Sequence, residues 1–169
     1  MNYIWKYKTP EGFADMCMRS DGDVLTGLWF VGSRDERKHE LDGEEKLLPV
    51  FAETVKWLDL YFDGQDPGFT PAYRLDNLTD FRREVVEIMC RIPYWKTITY
   101  GDIAREIAEK HGLKSMSAQA VGGAVGWNPI CIVVPCHRVM GASGALTGYG
   151  GGIENKRALL QVEGISFRE

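Results

Sequence analysis

No apolar run in the 169 residues approaches the ~20 that a membrane-spanning helix needs, which excludes an integral helical membrane protein. The opening residues, Met1-Asn2-Tyr3-Ile4-Trp5-Lys6, lack the long apolar core and small-residue cleavage site of a secretory signal, so a cytoplasmic location is the expectation. Cysteine is scarce. Cys17, Cys90, Cys131 and Cys136 are too few and too scattered for a disulfide framework, and no C-x-x-C pair occurs. His39, His111 and His137 supply no zinc-finger spacing, so neither a metal nor a cofactor is expected. Positive charge is not in excess either. With 20 Lys+Arg against 24 Asp+Glu the net charge is -4, which argues against a tight, generic nucleic-acid binder, because such affinity comes from neutralising phosphates. What remains is the mix of a soluble globular chain, 44% apolar and 26% charged, long enough for one ordinary domain or two small ones.

The charge average hides a division. Residues 1–75 hold 9 Lys+Arg and 14 Asp+Glu (9 − 14 = −5), and residues 76–169 hold 11 and 10 (11 − 10 = +1). Any contact with DNA therefore belongs to the second half. Residues 3–8, 12–19 and 23–31 are rich in aromatic and β-branched residues and are punctuated by Thr9-Pro10-Glu11-Gly12 and Ser20-Asp21-Gly22-Asp23. They predict a three-stranded antiparallel meander. Residues 33–46, almost entirely polar, predict a surface loop with a short helix at its end. From Pro49 the spacing of Val50, Phe51, Val55, Leu58, Tyr61 and Phe62 is helical and stops at Gly64; an extended stretch from Phe69 to Leu75 leads to a domain boundary near residue 75.

Beyond that boundary the pattern is helical. Thr79 can cap a helix carrying Phe81, Val85, Ile88 and Met89, and Thr99 can cap the next, Tyr100 to about Lys110. Ser115 or Ser117 can cap a third, Ala118 to about Val125, and a last helix runs from about Glu154 to Val162, with Gly164 as its stop. The second and third of these form a candidate helix-turn-helix over residues 99–126. The third is built of small residues, Ala118-Gln119-Ala120-Val121-Gly122-Gly123-Ala124-Val125. Each interior glycine costs about 1 kcal/mol relative to alanine, so the pair needs a reason. Close packing against a neighbouring helix is one. Entry of a smooth, uncharged helix into a narrow minor groove is another.

The strongest signal is Ile130-Cys-Ile-Val-Val-Pro-Cys-His-Arg-Val139. Cys17, Cys90 and Cys131 fit the role of small core hydrophobes. Cys136 differs: it follows an extended apolar segment, where a sharp turn can expose the sulfur, and His137 and Arg138 follow at once. A neighbouring base or cation lowers a thiol's pKa and makes the nucleophilic thiolate available, here by relay through one water, since adjacent side chains diverge. Asn128-Pro129, then Pro135-Cys-His-Arg-Val139, preceded by Ala120-Val-Gly-Gly-Ala124 and followed by Gly144-x-x-x-Gly148-Tyr-Gly-Gly-Gly152, closely resemble the O6-alkylguanine-DNA alkyltransferases, also called methylated-DNA–protein-cysteine methyltransferases. The likeness covers about residues 79–164.

That resemblance implies an α+β N-terminal domain (residues 1–75), ribonuclease-H-like, with a small antiparallel sheet and a helix. It also implies a mainly α-helical, winged-helix-like C-terminal domain (residues 76–169) carrying the helix-turn-helix. It implies a monomer that binds duplex DNA through the minor groove with little sequence specificity and turns the damaged base out of the stack. Cys136 would take the alkyl group from O6 of guanine, and in some cases O4 of thymine, in one irreversible transfer. His137 would accept the thiol proton through a water, Glu163 would orient His137, Asn128 would buttress the turn, and Tyr100 would protonate the departing guanine. Ala118, Gln119, Ala120, Gly123 and Tyr100 would face DNA; Val125, Cys131, Thr147, Tyr149 and Gly150 would line the base pocket. Arg138 would hold structure rather than react.

The chain departs from the family pattern at several of these positions. Gln119 stands where many members carry an arginine finger, Gly150 replaces a serine, Cys131 replaces a proline, Thr147 replaces a glycine, and residues 106–115 are an insertion. Three other readings fit parts of the sequence. A damage sensor that flips the base without transfer would lack the nucleophilic cysteine. A transcription regulator would need a charged recognition helix, and a thiol hydrolase would need an oxyanion hole.

Overall fold

The computed structural model describes all 169 residues. The three aromatic stretches form β1 (Tyr3–Tyr7), β2 (Met16–Ser20) and β3 (Leu25–Phe30), an antiparallel meander in which Trp5 pairs with Met18 and Cys17 with Trp29. A strand that the sequence did not suggest, β4 (Glu44–Glu45), lies parallel to β1, giving the order β3-β2-β1-β4. The polar segment 33–46 is therefore only partly loop, and its helical turn (Arg34–Lys38, 3-10) falls at its start rather than its end. The cause is distant in sequence: the Asp35 N–H donates to the Gly150 carbonyl at 3.0 Å, and the buried Asp35 carboxylate meets Lys38 Nζ at 2.8 Å. The stretch from Phe69 to Leu75 is extended as expected, and Tyr73 makes a single bridge to Leu25 at the edge of the meander.

Helix α1 (Pro49–Phe62) starts on its proline, buries Val50, Phe51, Thr54, Trp57, Leu58 and Tyr61 along one stripe, and gives way at Gly64, whose φ is +80°. In α2 (Asp80–Cys90) the Thr79 hydroxyl accepts from the Arg82 N–H at 3.2 Å. Cys90, one step off the Val85–Val86–Met89 stripe, is exposed and lies 3.7 Å from the Tyr73 hydroxyl, so it is not the core residue expected. Cys17 and Cys131 are buried.

Strand β5 (Ile98–Thr99) leads into α3 (Tyr100–Lys110), which opens on a full capping box between Thr99 and Asp102. Helix α4 (Ala118–Trp127) is capped by Ser117, not Ser115, and runs two residues past Val125. Strand β6 (Val139–Met140) pairs in parallel with β5, and α5 (Ile153–Val162) closes the fold before Gly164. None of these helices is long and apolar enough to cross a membrane.

One hydrophobic core joins Met18, Leu28, Phe51 and Tyr61 from the first half to Val85, Ile103, Val121 and Leu159 from the second. A backbone bridge from Leu28 to Ile130 ties the sheet to the segment that carries Cys136. Within α4 only Val121, Ala124 and Val125 are buried. A Cβ added at Gly123 would meet nothing within 4 Å, and one at Gly122 would stop 3.9 Å from the Tyr100 ring. Close helix packing therefore does not account for the glycine pair, and the outward face of α4 is a smooth, uncharged surface.

Candidate active site

The segment expected to be extended, residues 131–134, is a tight turn instead. Asn128 explains it. Its side-chain carbonyl accepts from the Ile130 N–H at 3.0 Å, and its amide donates to the Val134 carbonyl at 2.9 Å and to Cys136 Sγ at 3.2 Å. Drawing residues 130 and 134 together forces Ile132 into the left-handed region (φ +67°), a costly conformation for a β-branched residue that the surrounding bonds sustain. A 3-10 turn, Cys136–Arg138, follows, and β6 then locks to β5 beside the start of α3. Cys136, His137 and Tyr100 are thus positioned by one short piece of backbone.

The Cys136 residue is 7% exposed, so the turn does not project its sulfur into solvent. It lies instead at a cavity of about 80 Å³ lined by Tyr100, Val125, Asn128, Tyr149 and Gly150 and closed by Arg34, Asp35 and Lys38 from the first half of the chain. Tyr100 and Gly122 also line a neighbouring groove of about 730 Å³, walled by Asp102 and Arg105 of α3, Ala118 and Gln119 of α4, and residues 141–143. The cavity at the sulfur and the groove on the exposed face of α4 therefore adjoin across Tyr100 and Gly122. Ala120 and Gly123 are exposed on the same helix but outside the groove wall. Two expected pocket residues are elsewhere. Cys131 is sealed in the core, its N–H bonded to the Leu28 carbonyl at 3.1 Å, and Thr147 lies behind Tyr100, 3.4 Å from its hydroxyl.

Burial pushes the Cys136 thiol up; the Asn128 hydrogen bond and the charges of Lys38 and Lys156 oppose this, and Asp35 adds to it. The direction of this shift is opposite to the one that the flanking His137 and Arg138 lead one to expect. The reason is directional, because Arg138 turns away: its Nε donates to Glu163 Oε1 at 2.8 Å and its Nη1 to the Ile92 carbonyl at 3.0 Å. His137 Nε2 lies 2.5 Å from Glu163 Oε2, so the acceptor carboxylate holds the ring proton on Nε2 and leaves Nδ1 unprotonated. Nδ1 is buried and has no protein partner. Burial lowers the pKa of His137 more than Glu163 raises it, so the ring is neutral and able to accept a proton.

For Glu163, burial would raise the pKa, but hydrogen bonds from His137 and Tyr61 and the charge of Arg138 outweigh it and bring the carboxyl to about 2. Glu163 is fully buried, and its second oxygen also receives the Trp95 N–H at 3.4 Å. Sequence reasoning identified this glutamate only through the family. The local signal was available: Lys156 and Glu163 both fall on the inward stripe of the last helical segment, with Leu159 and Leu160, where a charge needs a reason. Lys156 was missed. Its Nζ donates to the Val139 carbonyl at 2.9 Å and lies 3.3 Å from Thr147 Oγ1, tying β6 to the loop that carries Tyr149 and Gly150; burial lowers it to about 8. Tyr61, Asp35 and Lys38 were also missed, since their contacts span the two halves.

A buried thiol, a neutral histidine with a free ring nitrogen, a carboxylate behind it and a cavity beside a smooth helix are the groups with which a cysteine-dependent enzyme can work. The comparisons make this specific. The family described as 6-O-methylguanine DNA methyltransferase, DNA binding domain, matches residues 80–165. The methylated-DNA–protein-cysteine methyltransferase of Mycobacterium tuberculosis is 49% identical over 160 residues, 93% of this chain and 91% of that protein. The inducible enzyme of the same name from Bacillus subtilis is 38% identical over 154 residues, 83% and 80% of the two chains. Among solved structures, that of Mycobacterium tuberculosis OGT in complex with DNA superposes with a TM-score of 0.79, 38% identity and coverage of 95% and 92%. The chain belongs to the methylated-DNA–protein-cysteine methyltransferase family.

Proposed function

We propose that this chain repairs DNA by direct reversal of damage, removing the alkyl group from O6-alkylguanine, and from O4-alkylthymine in some contexts, onto Cys136. The observation that carries this reading is the position of Cys136 Sγ at a cavity whose rim, through Tyr100 and Gly122, is also the wall of the groove along α4. Duplex DNA lies on that face through its minor groove, where the uncharged residues Ala118, Ala120 and Gly123 permit close approach without reading sequence. The alkylated base rotates out into the cavity. The division of labour follows the two halves: residues 76–169, with a winged-helix-like arrangement, bind and react, and residues 1–75, ribonuclease-H-like, brace the reactive turn. The protein acts in the cytoplasm as a monomer and needs no cofactor.

In the cavity, His137 Nδ1 takes the thiol proton through a water and the sulfur attacks the alkyl carbon. The carbon–oxygen bond breaks with its electron pair passing to the purine, which is protonated by the Tyr100 hydroxyl. The products are guanine and a thioether, and a thioether offers no easy hydrolytic exit. Asn128 holds the sulfur, and Tyr149, Val125 and the Gly150 N–H face the base. Methyl transfer from DNA with labelled O6-methylguanine will therefore saturate at one methyl per chain; release of methanol with continued turnover would contradict the scheme.

Gln119, exposed at the first turn of α4, fills the space left by the rotated base. It can hydrogen-bond the orphaned partner base but carries no charge to set against the phosphates. Gln119→Arg is expected to speed transfer from duplex DNA by about 3- to 10-fold, a gain on the order of 1 kcal/mol from one added cation. Transfer from the free base O6-methylguanine will be unchanged. Single-turnover rates on the two substrates check this.

A further inference from the structure

Helix α1 belongs to the half of the chain that carries none of the family's motif residues, yet it sends one polar group into the reactive centre. Tyr61 is fully buried, its hydroxyl donates to Glu163 Oε2 at 2.7 Å, and it lies 3.4 Å from His137 Nε2. The same carboxylate oxygen thus receives the His137 ring proton and the Tyr61 hydroxyl proton. The other oxygen is occupied by Arg138 and the Trp95 N–H, so Glu163 has four protein donors and no freedom to rotate.

We propose that Tyr61 is a positioning residue of the alkyl-transfer centre, its hydroxyl sharing the carboxylate oxygen that holds His137 and so setting how readily that ring accepts the thiol proton. The inference rests on the alkyl-transfer reading for the reaction it serves, but the coupling of Tyr61 to His137 is a property of the resting protein. A donor on the shared oxygen withdraws charge from the bond to His137, and its loss leaves a stronger acceptor that favours the protonated ring. The direction is readable because the other charges around the ring stay in place. Lys156 of α5 and Glu163 just past its end face it, as does Arg138 from its own turn, and Tyr94 stands beyond Tyr61. Asp35 and Lys38 act on Cys136 rather than on His137.

The test is Tyr61→Phe in the full chain, which keeps the ring in the core and removes only the hydroxyl. Tyr7→Phe serves as control: Tyr7 donates to Asp59 Oδ1 of the same helix at 2.7 Å and has no part in the site. Two readouts are taken, the imidazole nitrogen-15 titration of His137 in unreacted protein and the pH profile of single-turnover methyl transfer. In Tyr61→Phe the His137 midpoint is expected to rise by about one pH unit, and the acid limb of the rate profile to move up with it. On the plateau above that limb, the rate should stay within about threefold of the parent. Tyr7→Phe should shift neither. A uniform rate loss in Tyr61→Phe with midpoint and limb unmoved, or equal shifts in both variants, would overturn the proposal. A shifted His137 midpoint in a protein that transfers no methyl at any pH would uphold the coupling and remove the alkyl-transfer reading instead.

Discussion

Glu163→Gln is expected to melt about 6–12 °C below the parent chain and to transfer methyl groups roughly a hundredfold more slowly. The stability change follows from what the amide leaves behind. Arg138, which donates to Glu163 Oε1 at 2.8 Å and is nearly buried, keeps its charge and loses its counter-ion, and removing one partner of a buried pair costs about 3 kcal/mol. The rate change follows from His137. An amide can still accept the Nε2–H, but it brings no negative charge to stabilise the ring once Nδ1 has taken the thiol proton, and lost acid–base assistance is worth about 10²-fold. The sign with pH is fixed by the direction of the shift. Glu163 sits at about 2 in the folded chain, below its ordinary value of 4.5, so its contribution is complete above about pH 4.5 and fades as the pH falls toward 2. Thermal melts should therefore show a constant gap between parent and variant from pH 6 to 8, closing below about 4.5. A gap that widened on acidification would mean that the carboxylate is not the ionised partner described here.

Asn128→Ala removes the side chain that forms the reactive turn, and its expected effects are nearly as large. Asn128 is 2% exposed, and the Ile130 N–H and Val134 carbonyl that it satisfies lie in the same dry interior. The Val134 carbonyl keeps the Cys136 N–H at 2.8 Å, but the Ile130 N–H is left without a partner, and a buried group so orphaned costs about 1–3 kcal/mol, the loss expected in denaturant unfolding. Without the bond from Asn128 to Cys136 Sγ, one of the forces opposing the burial-driven rise of the thiol is gone, and Ile132 has less reason to stay at positive φ. Methyl transfer should fall by about 10²-fold, and alkylation of Cys136 by a small haloacetamide should slow as well. Asn128→Asp should not rescue either, because a carboxylate cannot donate to the Val134 carbonyl and places a negative charge against the sulfur.

The parts of this molecule legible in its sequence are those governed by neighbours along the chain. Thr79 and Thr99 announce their helices because a hydroxyl followed by a free backbone N–H is a local motif, and the meander is visible because its turns are built of Gly, Pro, Asp and Ser. Cys136 and His137 are adjacent, so the proposed nucleophile and its proposed base are legible together. The remainder is contact across distance. Asp35 looks like one more surface charge until Gly150 closes over it: a Cβ at Gly150 would fall 2.0 Å from Asp35 Oδ1, so the glycine where a serine is common is a requirement of this pairing. Residues 131–134 have the composition of a buried strand, and only the Asn128 side chain, bonded to both ends, turns them. Tyr61 reads as another member of an apolar stripe, and nothing in α1 reveals that its hydroxyl reaches a carboxylate 102 residues away. The choice between helix packing and ligand approach for Gly122 and Gly123 likewise depends on the fold, which leaves open space at Gly123 and an ordinary contact distance of 3.9 Å to the Tyr100 ring at Gly122.

In the proposed reaction the Cys136 sulfur becomes the final resting place of the alkyl group. Intact-protein mass spectrometry with peptide mapping, after incubation with a duplex containing one O6-methylguanine, tests it directly. A single added methyl per chain is expected, located on the peptide carrying Cys136 and absent from Cys136→Ser. An unchanged mass in a protein that still binds the damaged duplex, or a methyl found on Cys17, Cys90 or Cys131, would contradict it.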